Sequence, residues 1–146
     1  MTDTIHRLVY YSQNRIVGTP EELSAAIGEI LDASRRNNPR SGVTGALMFN
    51  AGCFAQVLEG ACRNVEHVFE RIQQDERHGN VSVLSFAPAK KRFFGNWSMS
   101  FAGMSVDHAV RFGSIAGDTG CDLSRMSGEA IFETLHRMVV EEERVV

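Results

Sequence analysis

Two residues carry polar groups into segments that otherwise read as apolar strands. In Phe54-Ala55-Gln56-Val57-Leu58, the alternation of a strand puts Gln56 on the face of Phe54 and Leu58. A primary amide in that company needs a donor for its carbonyl and acceptors for its NH₂. In His6-Arg7-Leu8-Val9-Tyr10-Tyr11-Ser12, Tyr10 shares a face with Leu8 and Ser12, while Val9 and Tyr11 point the opposite way. A phenol buried there also needs a partner. Taken alone, each reads first as a core residue satisfied by its surroundings. Whether the two meet depends on the order of strands in the sheet.

Other candidates are weaker singly. Asn37 and Asn38 stand where a helix ends, a position that Asn often terminates. Asp75-Glu76-Arg77-His78 reads as a charged turn at a helix end. Trp97 and Met99, two apart on a strand, read as core. The five histidines, His6, His67, His78, His108 and His136, lack metal-ligand spacing. No phosphate-cradling glycine loop or nucleophile elbow is present. Cys53, Cys62 and Cys121 are an odd count without close pairing, which predicts reduced thiols and a cytoplasmic setting.

These residues need elements to hold them. His6–Ser12 predicts a first strand. Thr19-Pro20-Glu21-Glu22 opens a helix with a cap, a first-turn proline and a capping-box glutamate, and Leu23, Ala26, Ile27, Ile30 and Leu31 form its apolar face. Pro39 biases Asn38 away from helical geometry, so the helix is expected to stop near Asn37. Val43–Phe49 and Phe54–Glu59 predict a hairpin through Asn50-Ala51-Gly52. Arg63–Gln74 predicts a second helix, Val81–Ala87 a strand closed by Pro88, and Trp97–Phe101 a last strand. The order β-α-β-β-α-β plus one strand predicts an α+β, ferredoxin-like fold. Its five-stranded, mostly antiparallel sheet carries two helices on one face. Glu129–Glu143 repeats Ile131, Leu135, Met138 and Val139 at helical spacing and is expected to cover the other face.

The chain of 146 residues is large enough for one domain with a buried core, and 43% hydrophobic with 23% charged residues is ordinary for a soluble globular protein. A net charge of −3 offers nucleic acid or anionic lipid no general attraction. No apolar run is long enough to cross a bilayer, and the first residues carry no secretory signal.

Taken together and in order, six stretches resemble the BLUF family of flavin-based blue-light sensors. They are Arg7-Leu8-Val9-Tyr10-Tyr11-Ser12, Ser34-Arg35-Arg36-Asn37-Asn38, Gly42-Val43-Thr44-Gly45-Ala46-Leu47, Phe54-Ala55-Gln56-Val57-Leu58-Glu59-Gly60, Asp75-Glu76-Arg77-His78 and Arg92-Phe93-Phe94-Gly95-Asn96-Trp97-Ser98-Met99. The resemblance implies FAD as chromophore, with Tyr10 as the photoactive tyrosine and Gln56 as the switching glutamine. It implies that Asn38, with Asn37 beside it, bonds the polar edge of the isoalloxazine ring. Ile30 and Ile72 would hold the ring from either side, and Arg71, Asp75, Arg77 and His78 would lie near the ring edge and ribityl chain. Trp97 and Met99 match the pair on the last strand whose positions respond to light.

The implied function is a non-enzymatic photoreceptor. Excitation draws an electron and then a proton from Tyr10, Gln56 rearranges its hydrogen bonds, and a reversible red-shifted state results. Residues 1–103 would form the flavin-binding domain and 104–146 a C-terminal helical extension. The signal would pass through the strand of Trp97 and Met99 to that extension and to an unidentified protein partner or a second copy of the chain. Nucleic acid and membrane are not expected as direct partners. The competing readings are a small flavin-dependent oxidoreductase and a cofactor-free interaction module of the same fold.

Overall fold

In a computed structural model of the chain, residues 4–50, 53–94, 100–101 and 133 are described. Strand β1 spans Ile5–Asn14, helix α1 Pro20–Asn37, β2 Thr44–Asn50, β3 Cys53–Ala61, helix α2 Cys62–Gln73 and β4 His78–Ala89, with a short β5 at Ser100–Phe101. The sheet order is β4-β1-β3-β2-β5. The first four strands pair antiparallel, and β5 lies parallel to β2 at Ala46 and Leu47. The β-α-β-β-α-β order and this antiparallel sheet are those of a ferredoxin-like α+β fold. Trp97, Met99 and the expected tail helix, Glu133 apart, lie outside the described residues; Glu133 is helical and exposed.

Alternation along the strands builds the core. Leu8, Tyr10, Leu47, Phe49, Phe54 and Leu58 from the sheet pack with Ile27 and Leu31 of α1 and Val65 and Val68 of α2. On the opposite face Val9, Ala46, Met48, Ala55 and Val57 are buried as well. Strand β3 is therefore buried along almost its whole length. Gly45 lets β2 approach it, because a Cβ there would drive into the Val57 carbonyl.

Helix α1 begins as the sequence predicts. Thr19 Oγ1 accepts from the Glu22 N–H at 3.2 Å, Pro20 takes the first position, and Glu21 and Glu22 complement the positive end of the helix. The box is not reciprocal in the usual way, since the Thr19 hydroxyl donates to Glu22 Oε1 at 3.3 Å. The helix ends at Asn37, but not by Asn38 leaving the helical region. Asn38 stays right-handed at φ −61°, ψ −40°, and a 3₁₀ turn over Pro39–Ser41 tightens the chain. Gly42 then breaks the course in the left-handed region at φ 65°, where glycine carries no steric cost.

Two further expectations are corrected. Pro88 does not close β4, which runs from His78 through Ala89. It is tolerated because β4 is an edge strand, where one side of the backbone has no ladder to feed. Cys53 is not a reduced thiol but is disulfide-bonded, whereas Cys62 is free. Removing a close backbone approach should matter more than removing a helix cap. Gly45→Ala is expected to lower stability by about 1–3 kcal/mol through overpacking, and Thr19→Ala by about 1 kcal/mol. Urea denaturation of the two variants measures both.

Candidate functional site

Sheet order decides the question left open by the sequence. Strands β1 and β3 are neighbours, and Tyr10 stands directly opposite Gln56. Their side chains are 2% and 3% exposed, and the Tyr10 hydroxyl donates to Gln56 Oε1. The phenol's proton and the amide's carbonyl thereby answer one another. On its other side Tyr10 faces Val83 of β4, next to a bulge that places Leu84 between the partners of Val9 and Tyr10. Bulges commonly sit beside functional side chains, where they re-aim them.

The surroundings of the phenol are aromatic on α2 and polar at the helix end. The Phe69 ring centre lies 5.3 Å from that of Tyr10, and the His78 ring 6.3 Å away. His78 has both ring nitrogens engaged. Nε2 meets the Ile72 carbonyl at 2.6 Å, and Nδ1 meets Ser12 Oγ at 2.7 Å. A carbonyl only accepts, so Nε2 carries the proton and Nδ1 can accept from the Ser12 hydroxyl. Asp75 is gripped by Arg77, whose Nε lies 2.9 and 3.0 Å from Oδ1 and Oδ2, with Nη2 2.6 Å from Oδ2. Arg77 also reaches Glu29 of α1 at 3.7 Å, a solvent-exposed contact of little energetic weight.

Electrostatics set the Tyr10 proton. Burial first, and the negative charge of Asp75 second, push its phenol well above the ordinary value. The Arg77 side chain, donating to the Asp75 carboxylate, holds that acid below its usual range.

The remaining residues singled out in the sequence separate by exposure. Asn38 is buried at 3% exposure; its carbonyl accepts from the Ser41 and Val43 N–H groups at 3.0 Å each. Asn37 is exposed. Ile30 and Ile72, one on each helix, are half-buried and pack on the margin of the core. Arg71 is exposed at the end of α2. The structure therefore gathers Tyr10, Gln56, Ile72, Asp75 and His78 around one region and leaves Arg71 and Asn37 outward. Glu59 escaped the sequence reading, although a carboxylate alternating with Val57 and Ala55 in an apolar strand signals a buried charge in need of partners.

This arrangement suits a flavin. Helix α2 packs closely on β1 and β3, and α1 buries Ile27 and Leu31 in the same core. Incompletely covered aliphatic side chains on both helices, with a buried amide at Asn38 and a phenol–amide pair on the strands, match a flat apolar ring with a polar rim. An open depression of about 520 Å³ lies elsewhere on α1, lined among the described residues by Glu29, Asp32, Arg35 and Arg36. Four charged side chains do not suit that ring.

Fold and site together define a ferredoxin-like domain that buries a phenol–amide pair between its neighbouring strands β1 and β3. Residues 5–100 match the family described as sensors of blue-light using FAD, and the chain belongs to this BLUF family. It is similar to the blue light- and temperature-regulated antirepressor BluF of Escherichia coli (strain K12), 37% identical over 94 residues, 63% of this chain and 22% of that protein. It also resembles photoactivated adenylate cyclase subunit beta of Euglena longa, 32% identical over 96 residues, 65% of this chain. The matched region spans only 11% of that subunit's length. Among solved structures, the dark state of the BLUF protein BlrB superposes with a TM-score of 0.72 at 29% identity, covering 97% of this chain and 99% of that one.

The raised phenol proton affinity has a measurable sign. A group whose folded pKa lies above its unfolded value stabilises the fold fully below the unfolded value, and that stability is lost as pH rises beyond it. The unfolded phenol ionises near pH ~10, so the urea midpoint is expected to fall more steeply above that pH in the parent than in Tyr10→Phe. Paired urea titrations between about pH 9 and 11 test it.

Proposed function

We propose that this chain is a blue-light photoreceptor in which Tyr10 and Gln56 form the light-responsive pair. It acts in the cytoplasm by signalling to a protein partner or a second copy, without enzymatic turnover of its own. The single observation that carries this reading is the buried Tyr10–Gln56 hydrogen bond across β1 and β3. Membership of the family supports it. Among the described residues no helix is long and apolar enough to cross a membrane.

The residues proposed to hold FAD are Tyr10, Ile30, Asn37, Asn38, Gln56, Arg71, Ile72, Asp75, Arg77 and His78. When bound, FAD supplies the blue absorption and a transient acceptor for an electron and a proton. The aliphatic side chains of Ile30 and Ile72 exclude water from a ring, and the buried Asn38 can offer its amide as paired donor and acceptor. Tyr10 holds its proton firmly in the resting state, because burial and Asp75 both oppose a phenolate. A route that begins by deprotonating Tyr10 is therefore uphill. The same negative charge favours loss of an electron first, after which the phenolic proton can leave along the bond to Gln56 Oε1.

Gln56 is suited to record the event. Its amide has an acceptor at one end and donors at the other, so rotation or tautomerisation exchanges what it presents without lasting covalent change. Glutamate there would lose the two donors and, once ionised, bury a charge. The altered bonding gives a slightly red-shifted state that relaxes in the dark. Its relay is proposed to run through Trp97 and Met99 to the extension at 104–146, distinct from the flavin-binding part at 1–103. Both belong to the proposal, as does the absence of enzymatic activity.

Absorption spectra before and after blue light test the reading. The parent protein is expected to be yellow and to red-shift reversibly. Tyr10→Phe should stay yellow without the shift, at a stability cost of about 1 kcal/mol for the lost Tyr10–Gln56 hydrogen bond. Gln56→Leu should likewise bind flavin and not shift. A normal shift in the Gln56 variant refutes the switch, and steady consumption of a reductant with no light response would favour an oxidoreductase instead.

A further inference from the structure

Gln56 is not the only polar side chain that β3 buries. Three residues along, on the opposite face, Glu59 has no exposure at all. Its cross-strand neighbours are Arg7 on β1 and Thr44 on β2. Arg7 Nε donates to Glu59 Oε2 at 2.7 Å. The other donors come from the chain that follows β4. The Phe94 N–H reaches Oε1 at 2.7 Å, and the Phe93 N–H reaches Oε1 and Oε2 at 2.9 and 3.1 Å.

Neighbouring contacts fasten the same short segment. Arg92 donates to the Glu59 carbonyl at 3.2 Å, to Thr44 Oγ1 at 3.1 Å and to the Gly42 carbonyl at 2.7 Å. Arg7 Nη2 donates to the Lys91 carbonyl at 3.1 Å, and its guanidinium carbon lies 4.9 Å from the centre of the Phe93 ring. Residues 91–94 therefore cross the sheet along the row Arg7–Glu59–Thr44. The crossing has a purpose in the topology: it carries the chain from β4 at one edge to β5, beside β2, at the other.

We infer that Glu59 is a positioning residue that couples β3 to this crossing segment, so that a change of hydrogen bonding at Gln56 is passed through β3 to residues 91–94 and onward. This rests on the photochemical reading above. Gln56 and Glu59 lie about 10 Å apart along one strand, and that strand is paired on both sides, so it moves as a unit rather than bending between them. Charge-assisted bonds to two successive backbone N–H groups weaken steeply when their geometry changes. A small displacement of β3 is thereby converted into tightening or release of the segment that leads to Trp97 and Met99. Glu59 faces away from Tyr10 and Gln56, with its carboxylate bonded to Arg7, Phe93 and Phe94, and in this reading it takes no part in the photochemistry.

Residue-resolved hydrogen exchange on the FAD-loaded full chain, in darkness and under continuous blue light, separates coupling from a purely structural role. The absorption spectrum is recorded on the same samples. In the parent protein the Phe93 and Phe94 amides should be protected in the dark and change exchange rate about threefold or more in the light. Glu59→Gln keeps a carbonyl acceptor and loses the charge; Arg7→Gln keeps the carboxylate and loses its ion pair. Both should retain the full red shift while the light–dark difference at the two amides disappears. If one variant fails to fold, the other and the parent still decide. A full red shift with unchanged exchange at Phe93 and Phe94, or an undiminished difference in the variants, overturns the coupling and leaves the photochemistry intact. A parent protein without a red shift sinks the photochemical reading and this coupling with it.

Discussion

A phenol and a primary amide, both removed from water, must satisfy each other across two strands. Leaving either alone would cost about 1–3 kcal/mol. Everything that fixes the register of β1 on β3 serves that requirement. A slip of one residue would send Tyr10 to the opposite face with Val9 and Tyr11, and would set the amide among apolar side chains without its donor. The register is held by Leu8 opposite Leu58 on one face and Val9 opposite Val57 on the other, all four buried. On the far side of β1 the ladder with β4 carries its irregularities at Val9/Tyr10 and Tyr11/Gln13. The strict pairing lies toward β3 and the accommodation toward β4, an edge strand free to shift.

The helices close the region without sealing it. Helix α2 follows β3 after no loop at all and lies against β1 and β3, bringing Phe69 and Ile72 near the phenol. Its end is tied down by His78, which bridges the Ile72 carbonyl to Ser12 on β1. The Asp75–Arg77 pair makes the turn rigid and leaves a negative charge close enough to raise the proton affinity of Tyr10. That charge costs the resting state nothing, since the phenol is neutral. It opposes a phenolate and, in the photochemistry proposed above, favours loss of the electron ahead of the proton.

Much of this was legible in the residues. Period-2 alternation placed Tyr10 and Gln56 on the apolar face, and Thr19, Pro20 and Glu22 marked the start of α1 to the residue. What alternation cannot convey is which strands are neighbours, and the meeting of Tyr10 with Gln56 rests wholly on that. Pro88 was misleading because the rule against proline in strands applies to paired positions, and an edge strand has an unpaired side. Asn38 was misleading because the disfavour of helical geometry before proline is a bias that a 3₁₀ turn and Gly42 can absorb. The partners of Glu59 were invisible for a different reason. Two of its donors are backbone N–H groups at Phe93 and Phe94, and no side-chain pattern announces a backbone donor 34 and 35 residues away.

A carboxylate buried in the central strand is an expensive way to hold a loop. Paired charges in an interior are often no more stabilising than apolar residues of the same size. Arg7 and Glu59 could in principle be replaced by packed side chains, and the crossing held by Phe94 alone, which is fully buried. What an ion pair with two backbone donors adds is direction. Apolar packing tolerates small shifts with little change in energy, whereas hydrogen bonds at 2.7–2.9 Å penalise them. Strand β3 thus presents a directional polar group on each face, an amide toward the helices and a carboxylate toward the crossing chain. A strand buried on both sides, with its neighbours in register, is the element of this fold least able to absorb a shift locally, and so the one best placed to hand it across the sheet.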